Sequence, residues 1–180
     1  MKEGQKVAIV TGAGTGVGKA VAQIFLQHGY CVALAGRREE LLHSAVSEAG
    51  ADSQSTLCQQ TDVGCEEDVD SLFDATVGRF GRIDVLFNNA GIGARPIDID
   101  ELPLAEWQAV LNTNVHGAYL CARRAFGQMK SQDPKGGRII NNGSISASMP
   151  RVNTTPYTVS KHAMSGLTRS IALDGRPHNI

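Results

Sequence analysis

Short apolar runs that alternate with helical patterns constrain the fold of this chain more than any other feature. Runs rich in Val, Ile, Leu and Ala predict strands at residues 6–11, 31–35, 55–60, 85–88 and 138–142. Apolar residues at helical spacing predict helices at 16–28, 38–49, 66–80, 103–129 with a break, and 155–174. This alternation indicates an α/β fold with a doubly wound, Rossmann-like parallel sheet in a three-layer α/β/α arrangement.

Length and charge exclude several classes of function. The chain has 180 residues, 42% of them hydrophobic, and a net charge of -1, so we expect one domain over residues 1–180. Near-neutral charge without a basic run indicates no nucleic-acid partner. No apolar stretch approaches the roughly 20 residues of a membrane helix. The four cysteines lack a CxxC pair or metal-ligand spacing, which favours a cytoplasmic setting and no metal.

A glycine-rich loop at residues 11–18 lies between the first strand and the first helix. Gly12, Gly16 and Gly18 follow the spacing G-x-x-x-G-x-G. Glycines allow a sharp turn and a close approach of a pyrophosphate to the backbone, and the N–H groups of the following helix face the phosphates. The loop predicts a dinucleotide site, and the alternative is a tight turn without a ligand.

The end of the second strand bears on which nicotinamide dinucleotide would bind. Gly36 occupies the position where an acidic residue would accept hydrogen bonds from a ribose 2′-hydroxyl. Arg37 and Arg38 follow, and an arginine fork suits a 2′-phosphate. We therefore expect NADP(H) to be favoured over NAD(H). The alternative is that both arginines are solvated at a helix start.

Three polar residues near the last helix suggest proton chemistry. Tyr157 and Lys161 are four positions apart in a predicted helix and share a face. Ser144 follows the fifth strand, where ligands bind in such sheets. Reduction of a carbonyl requires a proton donor; a free phenol has a pKa of about 10 and needs a nearby cation to act as a base at neutral pH. The alternative is an exposed pair on an amphipathic helix.

Several motifs in the same order resemble those of the short-chain dehydrogenases/reductases. They are the TGxxxGxG loop at 11–18, NNAG at 88–91, Asn114 in the segment 114–117, Ser144, and Tyr157-xxx-Lys161. The resemblance covers essentially the whole chain. It implies an oxidoreductase acting on CH–OH donors, which transfers a hydride between NADP(H) or NAD(H) and a carbonyl or secondary alcohol.

The resemblance also implies roles for individual residues. Tyr157 would be the general acid/base, and Ser144 would bind the substrate oxygen. Asn114 would position a water that passes protons toward Lys161, unless it only breaks the helix there through local hydrogen bonds. Asp62 and Val63 would contact the adenine, unless Asp62 only caps a turn. Segment 88–91 would line the cofactor or form a structural turn. The expected cofactor contacts are Gly12, Thr15, Gly16, Val17, Gly18, Arg37, Arg38, Asp62, Val63, Asn89, Ala90, Gly91, Tyr157 and Lys161.

The end of the chain raises a further expectation. Relatives in this family continue past the position of Ile180, so we expect the sheet to lack the usual last strands and the chain to be less stable and less active. The alternative function is a truncated, catalytically impaired cofactor-binding or interaction protein. The resemblance also implies a homo-oligomer, a dimer or tetramer, formed through the helices near Asn114 and Tyr157. The sequence leaves the identity of the small-molecule substrate open.

Overall fold

A computed structural model describes residues 4–180 and contains the predicted parallel sheet. Every predicted strand and helix is present, with ends that differ from the expected positions by at most two residues. The strands are β1 Val7–Thr11, β2 Cys31–Gly36, β3 Thr56–Gln60, β4 Val85–Asn88 and β5 Arg138–Asn141. All neighbouring strands are parallel, in the order β3-β2-β1-β4-β5.

Six α-helices connect and follow the strands in the described part of the chain. They are α1 Gly16–Gln27, α2 Glu39–Glu48, α3 Glu66–Phe80, α4 Leu104–Leu111, α5 Gly117–Ser131 and α6 Thr155–Gly175. Gly29 follows α1 with φ +79°, the left-handed conformation expected of a helix-ending glycine. The predicted break in the fourth helical segment is a π-helical turn at Asn112–His116.

The two faces of the sheet are covered by different helices, which gives the three layers of the Rossmann-like fold. One apolar cluster contains Val10 and Leu34 of the sheet with Ala22 of α1 and Leu42 of α2. The cluster on the other face joins Ile9 and Leu86 of the sheet to residues of α3 and α5, including Phe73 and Leu120. β1 is buried at every position, as a central strand covered on both faces must be. β5 is only half-buried.

The strand register places the candidate functional loops along one edge of the sheet. Thr11 pairs with Ala35, and Asn88 pairs with Asn141, so the carboxyl ends of these four strands lie side by side. In parallel sheets, ligands bind outside this edge. Between residues 4 and 180, no helix is long and apolar enough to span a membrane.

Candidate active site

Thr11 joins the glycine loop to the segment that follows β4. Its hydroxyl oxygen accepts hydrogen bonds from the backbone N–H groups of Asn89 and Ala90, each at 3.0 Å, and donates to the oxygen of Phe87 at 3.4 Å. Thr11 is buried. Because one side chain contacts two loops that are far apart in sequence, the loops keep a set distance from each other.

The glycines of the loop permit this close approach. A Cβ atom on Gly18 would lie 2.3 Å from the oxygen of Gly12 and 2.4 Å from Nδ2 of Asn89, closer than real Cβ atoms approach. Gly12 has φ +65°, and a Cβ there would lie 3.0 Å from the Cα of Ala90. Nδ2 of Asn89 donates to the oxygen of Thr11 at 3.0 Å. Atoms of the two loops therefore occupy the space that side chains at positions 12 and 18 would need.

A cleft of about 320 Å³ lies along the carboxyl edge of β1, β2 and β3. It contains most of the predicted cofactor contacts, namely Gly12, Thr15, Val17, Arg37, Arg38, Asp62, Val63, Asn89, Ala90 and Gly91. Arg37 and Arg38 are exposed at one end of it. Thr15, the residue that directly precedes α1, lies at the other end, so the N–H groups of the first helical turn face the same space. The two arginines and the backbone donors at the start of α1 suit an anionic ligand, and Asp62 is the one carboxylate among the residues that line this cleft.

Two of the predicted cofactor residues, Gly16 and Gly18, line neither this cleft nor the one that holds Tyr157 and Lys161. Gly18 packs against Gly12, as described above, and Gly16 begins α1 with φ +55°. Both allow the loop to form. Asp62 lines the cleft, and its Oδ1 accepts the N–H of Gly64 at 2.9 Å, as the turn cap considered for it would; its contact with the adenine stays a prediction. Asn88 is buried and donates to the oxygen of Ala118 at 3.0 Å, which is a packing role.

A second cleft of about 380 Å³ adjoins the first and contains the three residues predicted for proton chemistry. Asn89, Gly91 and Ile92 line both clefts. The second cleft is also lined by Gly93, Ala94, Asn142, Ser144, Arg151, Thr154, Tyr157 and Lys161. The sheet edge thus brings the glycine loop and the Ser144, Tyr157 and Lys161 side chains to one continuous groove.

Lys161 holds a defined position beside Tyr157. Its Nζ donates to the backbone oxygen of Asn142 at 2.8 Å and lies 5.6 Å from the centroid of the Tyr157 ring. Lys161 is 8% exposed, whereas Tyr157 is half-buried. The hydroxyl oxygen of Ser144 accepts the N–H of Ser146 at 3.1 Å and leaves its own proton for another acceptor. A cation, a phenol and a hydroxyl donor therefore share the cleft.

Asn114 does not line either cleft and is 3% exposed. Its Oδ1 accepts the N–H of Ile92 at 2.8 Å, and its Nδ2 donates to the oxygen of Ile92 at 3.0 Å and to the hydroxyl of Ser160 at 3.1 Å. The π-helical turn directs this amide toward the Ile92 loop and α6. These hydrogen bonds lie outside both clefts and hold the Ile92 loop, which lines both of them.

Sequence reasoning missed several residues that line the two clefts. Thr61, Ile92 and Thr113 line the first, and Asn142, Arg151 and Thr154 are among those lining the second. Asn142 could have been found because it directly follows β5 at the carboxyl edge. The position of Arg151 depends on how the loop before α6 turns, which no short pattern in the sequence shows.

Comparisons with known proteins identify the family of this chain. The family model described as short chain dehydrogenase matches residues 6–180. A curated relative, secoisolariciresinol dehydrogenase of Forsythia intermedia, is 37% identical over 94% of this chain and 60% of its own length. The 3beta-hydroxysteroid dehydrogenase of Mediterraneibacter gnavus is 34% identical over the same shares.

Solved structures show the same fold. The 3-ketoacyl-(acyl-carrier-protein) reductase of Brucella melitensis, in complex with NADH, superimposes with a TM-score of 0.90 at 31% identity, covering 96% of this chain and 70% of that one. A short-chain type dehydrogenase/reductase of Mycobacterium marinum gives a TM-score of 0.91 at 33% identity, with 97% and 69% covered. The chain belongs to the short-chain dehydrogenase family, whose relatives named here are dehydrogenases and reductases. It spans about 60% of the length of the first curated relatives that it matches.

Proposed function

We propose that residues 1–180 form the dinucleotide-binding domain of an oxidoreductase that acts on a carbonyl or secondary alcohol with NADP(H) or NAD(H). The observation that carries this proposal is the meeting of the two clefts at Asn89, Gly91 and Ile92. A ligand that extends from the glycine loop past these residues would reach the cleft that holds Tyr157 and Lys161. The dinucleotide and the proton donor would then lie next to each other.

The residues of the first cleft fit a nicotinamide dinucleotide. The N–H groups that begin α1 and the close backbone approach at Gly12 and Gly18 suit a pyrophosphate. Arg37 and Arg38 would face the adenosine ribose, where a 2′-phosphate would distinguish NADP(H) from NAD(H). When bound, the dinucleotide supplies or accepts the hydride.

The chain's own residues would handle the proton and the substrate oxygen. Tyr157 would donate its phenolic proton to the oxygen of a carbonyl under reduction and take it back in the oxidative direction. The ammonium of Lys161, held at its position by Asn142, would favour the phenolate. Ser144 would donate a hydrogen bond to the same substrate oxygen. Lys161 would also hold the hydroxyls of the nicotinamide ribose.

A catalytically impaired binding or interaction module is not favoured. Lys161 is a largely buried cation, and burial of a charge costs free energy unless partners compensate. Its hydrogen bond in the described chain is to one backbone carbonyl. A module that only bound a partner protein would gain stability from an apolar residue here, so the buried ammonium beside Tyr157 supports a role in dinucleotide binding and catalysis.

The test follows NADPH absorbance with a panel of ketones and aldehydes, for the parent chain and for Tyr157→Phe. We expect Tyr157→Phe to lower turnover by about 10²- to 10⁴-fold because the proton donor is lost. Most of the rise in melting temperature with NADPH should be kept, since the residues of the first cleft are unchanged. Tyr119→Phe changes an exposed tyrosine of α5 outside both clefts and is the matched control.

Three outcomes decide between the functions. The proposal is supported if Tyr157→Phe abolishes turnover and Tyr119→Phe retains it. NADPH binding without turnover of any compound would favour the impaired binding module, and turnover unaffected by Tyr157→Phe would overturn the assigned role of that tyrosine. The homo-oligomer that the family resemblance implies stays a prediction, to be measured by light scattering.

A further inference from the structure

Arg151 is a cation in the second cleft for which the proposed reaction has no use. It lines this cleft with Ser144, Tyr157 and Lys161, and it lies on the loop that leads into α6. Its side chain is exposed rather than packed into the core. A charged side chain at this place acts on whatever occupies the cleft beside the proton donor.

The backbone that carries Arg151 is tied to both walls of the cleft. The hydroxyl of Thr154, which directly precedes α6, donates to the backbone oxygen of Arg151 at 2.9 Å. Two residues further along the chain, the oxygen of Asn153 accepts the N–H of Ile97 at 3.0 Å. Ile97 belongs to the loop after β4, which forms the opposite wall. These bonds hold the Cα of Arg151 at the cleft and leave its guanidinium free to turn toward a ligand.

Arg151 has no carboxylate partner in residues 4–180. Arg95, on the opposite loop, pairs with Glu106 at 2.8 Å, but no ion pair or side-chain hydrogen bond joins Arg151 to the described chain. The cleft lining also contains neither Asp nor Glu. The other cation there, Lys161, donates to Asn142. Arg151 is therefore the cation of this cleft whose donors are not used by the described residues.

We propose that the substrate is a carbonyl or alcohol compound that carries an anionic group, a carboxylate or a phosphate, and that Arg151 binds this group. This inference rests on the proposed function, since it assigns the substrate class of the same site. A guanidinium presents paired donors that match carboxylate and phosphate oxygens. Arg151 thereby determines which carbonyl compounds bind.

The binding test uses levulinate, a keto acid, and its neutral methyl ester. Each is titrated by calorimetry into the full chain saturated with NADP⁺, a combination that cannot react because ketone and oxidised dinucleotide are both electron acceptors. We expect levulinate to bind about 10- to 100-fold more tightly than the ester. Arg151→Gln should lower the affinity for levulinate to that for the ester and leave the affinity for the ester unchanged. Arg169→Gln, an exposed arginine on α6 outside both clefts, should change neither.

Two further measurements separate a charge effect from a change of shape. Binding of levulinate should weaken with added salt, whereas binding of the ester should not. Arg151→Lys should retain part of the preference for the acid. Equal binding of acid and ester by the parent chain, or equal weakening of both by Arg151→Gln, would overturn the inference.

Assays with levulinate and its methyl ester also distinguish a failure of this inference from a failure of the proposed function. Turnover with NADPH should favour levulinate through a lower KM, with kcat similar for acid and ester. If neither compound, nor any other carbonyl, is reduced while charge-selective binding persists, the proposed function fails and the anion site stands. If both are reduced equally well, the oxidoreductase proposal stands and the anion site fails.

Discussion

The amide of Asn114 and the hydroxyl of Ser160 join the π-helical turn to the helix that carries Tyr157. Nδ2 of Asn114 donates to Oγ of Ser160 at 3.1 Å, and that hydroxyl donates to the backbone oxygen of Tyr157 at 2.7 Å. Ser160 is fully buried. Because water cannot replace either bond, this pair helps to determine where α6 begins relative to the Ile92 loop.

Ser160→Ala should therefore lower the free energy of unfolding by about 1–3 kcal/mol, since it leaves a buried donor of Asn114 with one acceptor fewer. Ser170→Ala, at an exposed position of the same helix, should change it by no more than about 0.5 kcal/mol. Urea denaturation of both variants measures the difference. Equal stabilities of the two variants would show that the buried bond contributes little.

The glycine loop should tolerate no Cβ at Gly18. Gly18→Ala would place a methyl group against the oxygen of Gly12 and the amide of Asn89, so the loop must shift. We expect a loss of about 1–3 kcal/mol in the free energy of unfolding and a smaller rise in melting temperature with NADPH.

The matched control for this substitution is Gly78→Ala in α3, where a Cβ would meet no atom within 4 Å. Because alanine favours a helix over glycine, this variant should gain about 0.5–1 kcal/mol in stability and bind NADPH as before. A Gly18→Ala variant that binds NADPH as tightly as Gly78→Ala would contradict the assigned place of the pyrophosphate.

Dinucleotide preference should respond to charge at the end of β2. Gly36→Asp would introduce a carboxylate where a 2′-phosphate is expected, and its Cβ would lie 3.4 Å from Leu42, an ordinary contact. NADPH affinity should fall by at least about 10-fold while NADH affinity is kept or rises. Arg38→Gln should lower the affinity for NADPH more than the affinity for NADH. Titration with both dinucleotides checks this, and a parent chain that prefers NADH would refute the role of the arginines.

The cysteines should differ in reactivity because their pKa values are raised for different reasons. Burial raises the pKa of Cys121 to about 12, so its thiolate is scarce at pH 8 and its sulfur is also inaccessible. A hydrogen bond from Cys65 to the Glu67 carboxylate, at 3.0 Å, chiefly raises the pKa of that partly exposed thiol. Iodoacetamide at pH 8 should therefore modify Cys65 slowly in the native protein and Cys121 only after unfolding.

Glu67→Gln should speed the alkylation of Cys65, since the lost carboxylate lowers the pKa of the thiol and increases the thiolate fraction at pH 8. Glu66→Gln removes the neighbouring carboxylate, which pairs with Arg123, and should leave the rate nearly unchanged. Mass spectrometry of peptides from the native protein follows each site. Cys121 modified as fast as Cys65 before unfolding would contradict the buried position of α5.

Most of the fold could be predicted from local pattern. Apolar runs and helical spacing are properties of neighbouring residues, and they located every strand and the outer ends of the α-helical segments in residues 4–180 to within two positions. The short 3-10 turns, such as Ile145–Ala147, were not predicted. The break near Asn114 was also predicted, although its form as a π-helical turn was not. Local preferences determine where a helix is interrupted, while packing of the Asn114 amide against Ile92 and Ser160 determines how.

The sequence by itself determined the alternating elements, the glycine loop and the residue types that follow the strands at the carboxyl edge. Only the tertiary structure decided that Thr11 binds the segment after β4, that Asn114 supports the cleft from behind, and that Arg151 faces the cleft of Tyr157. The physical reason is that periodicity and turn preference act over a few residues. A side-chain contact between distant segments exists only once the sheet register and helix packing have brought both backbones together.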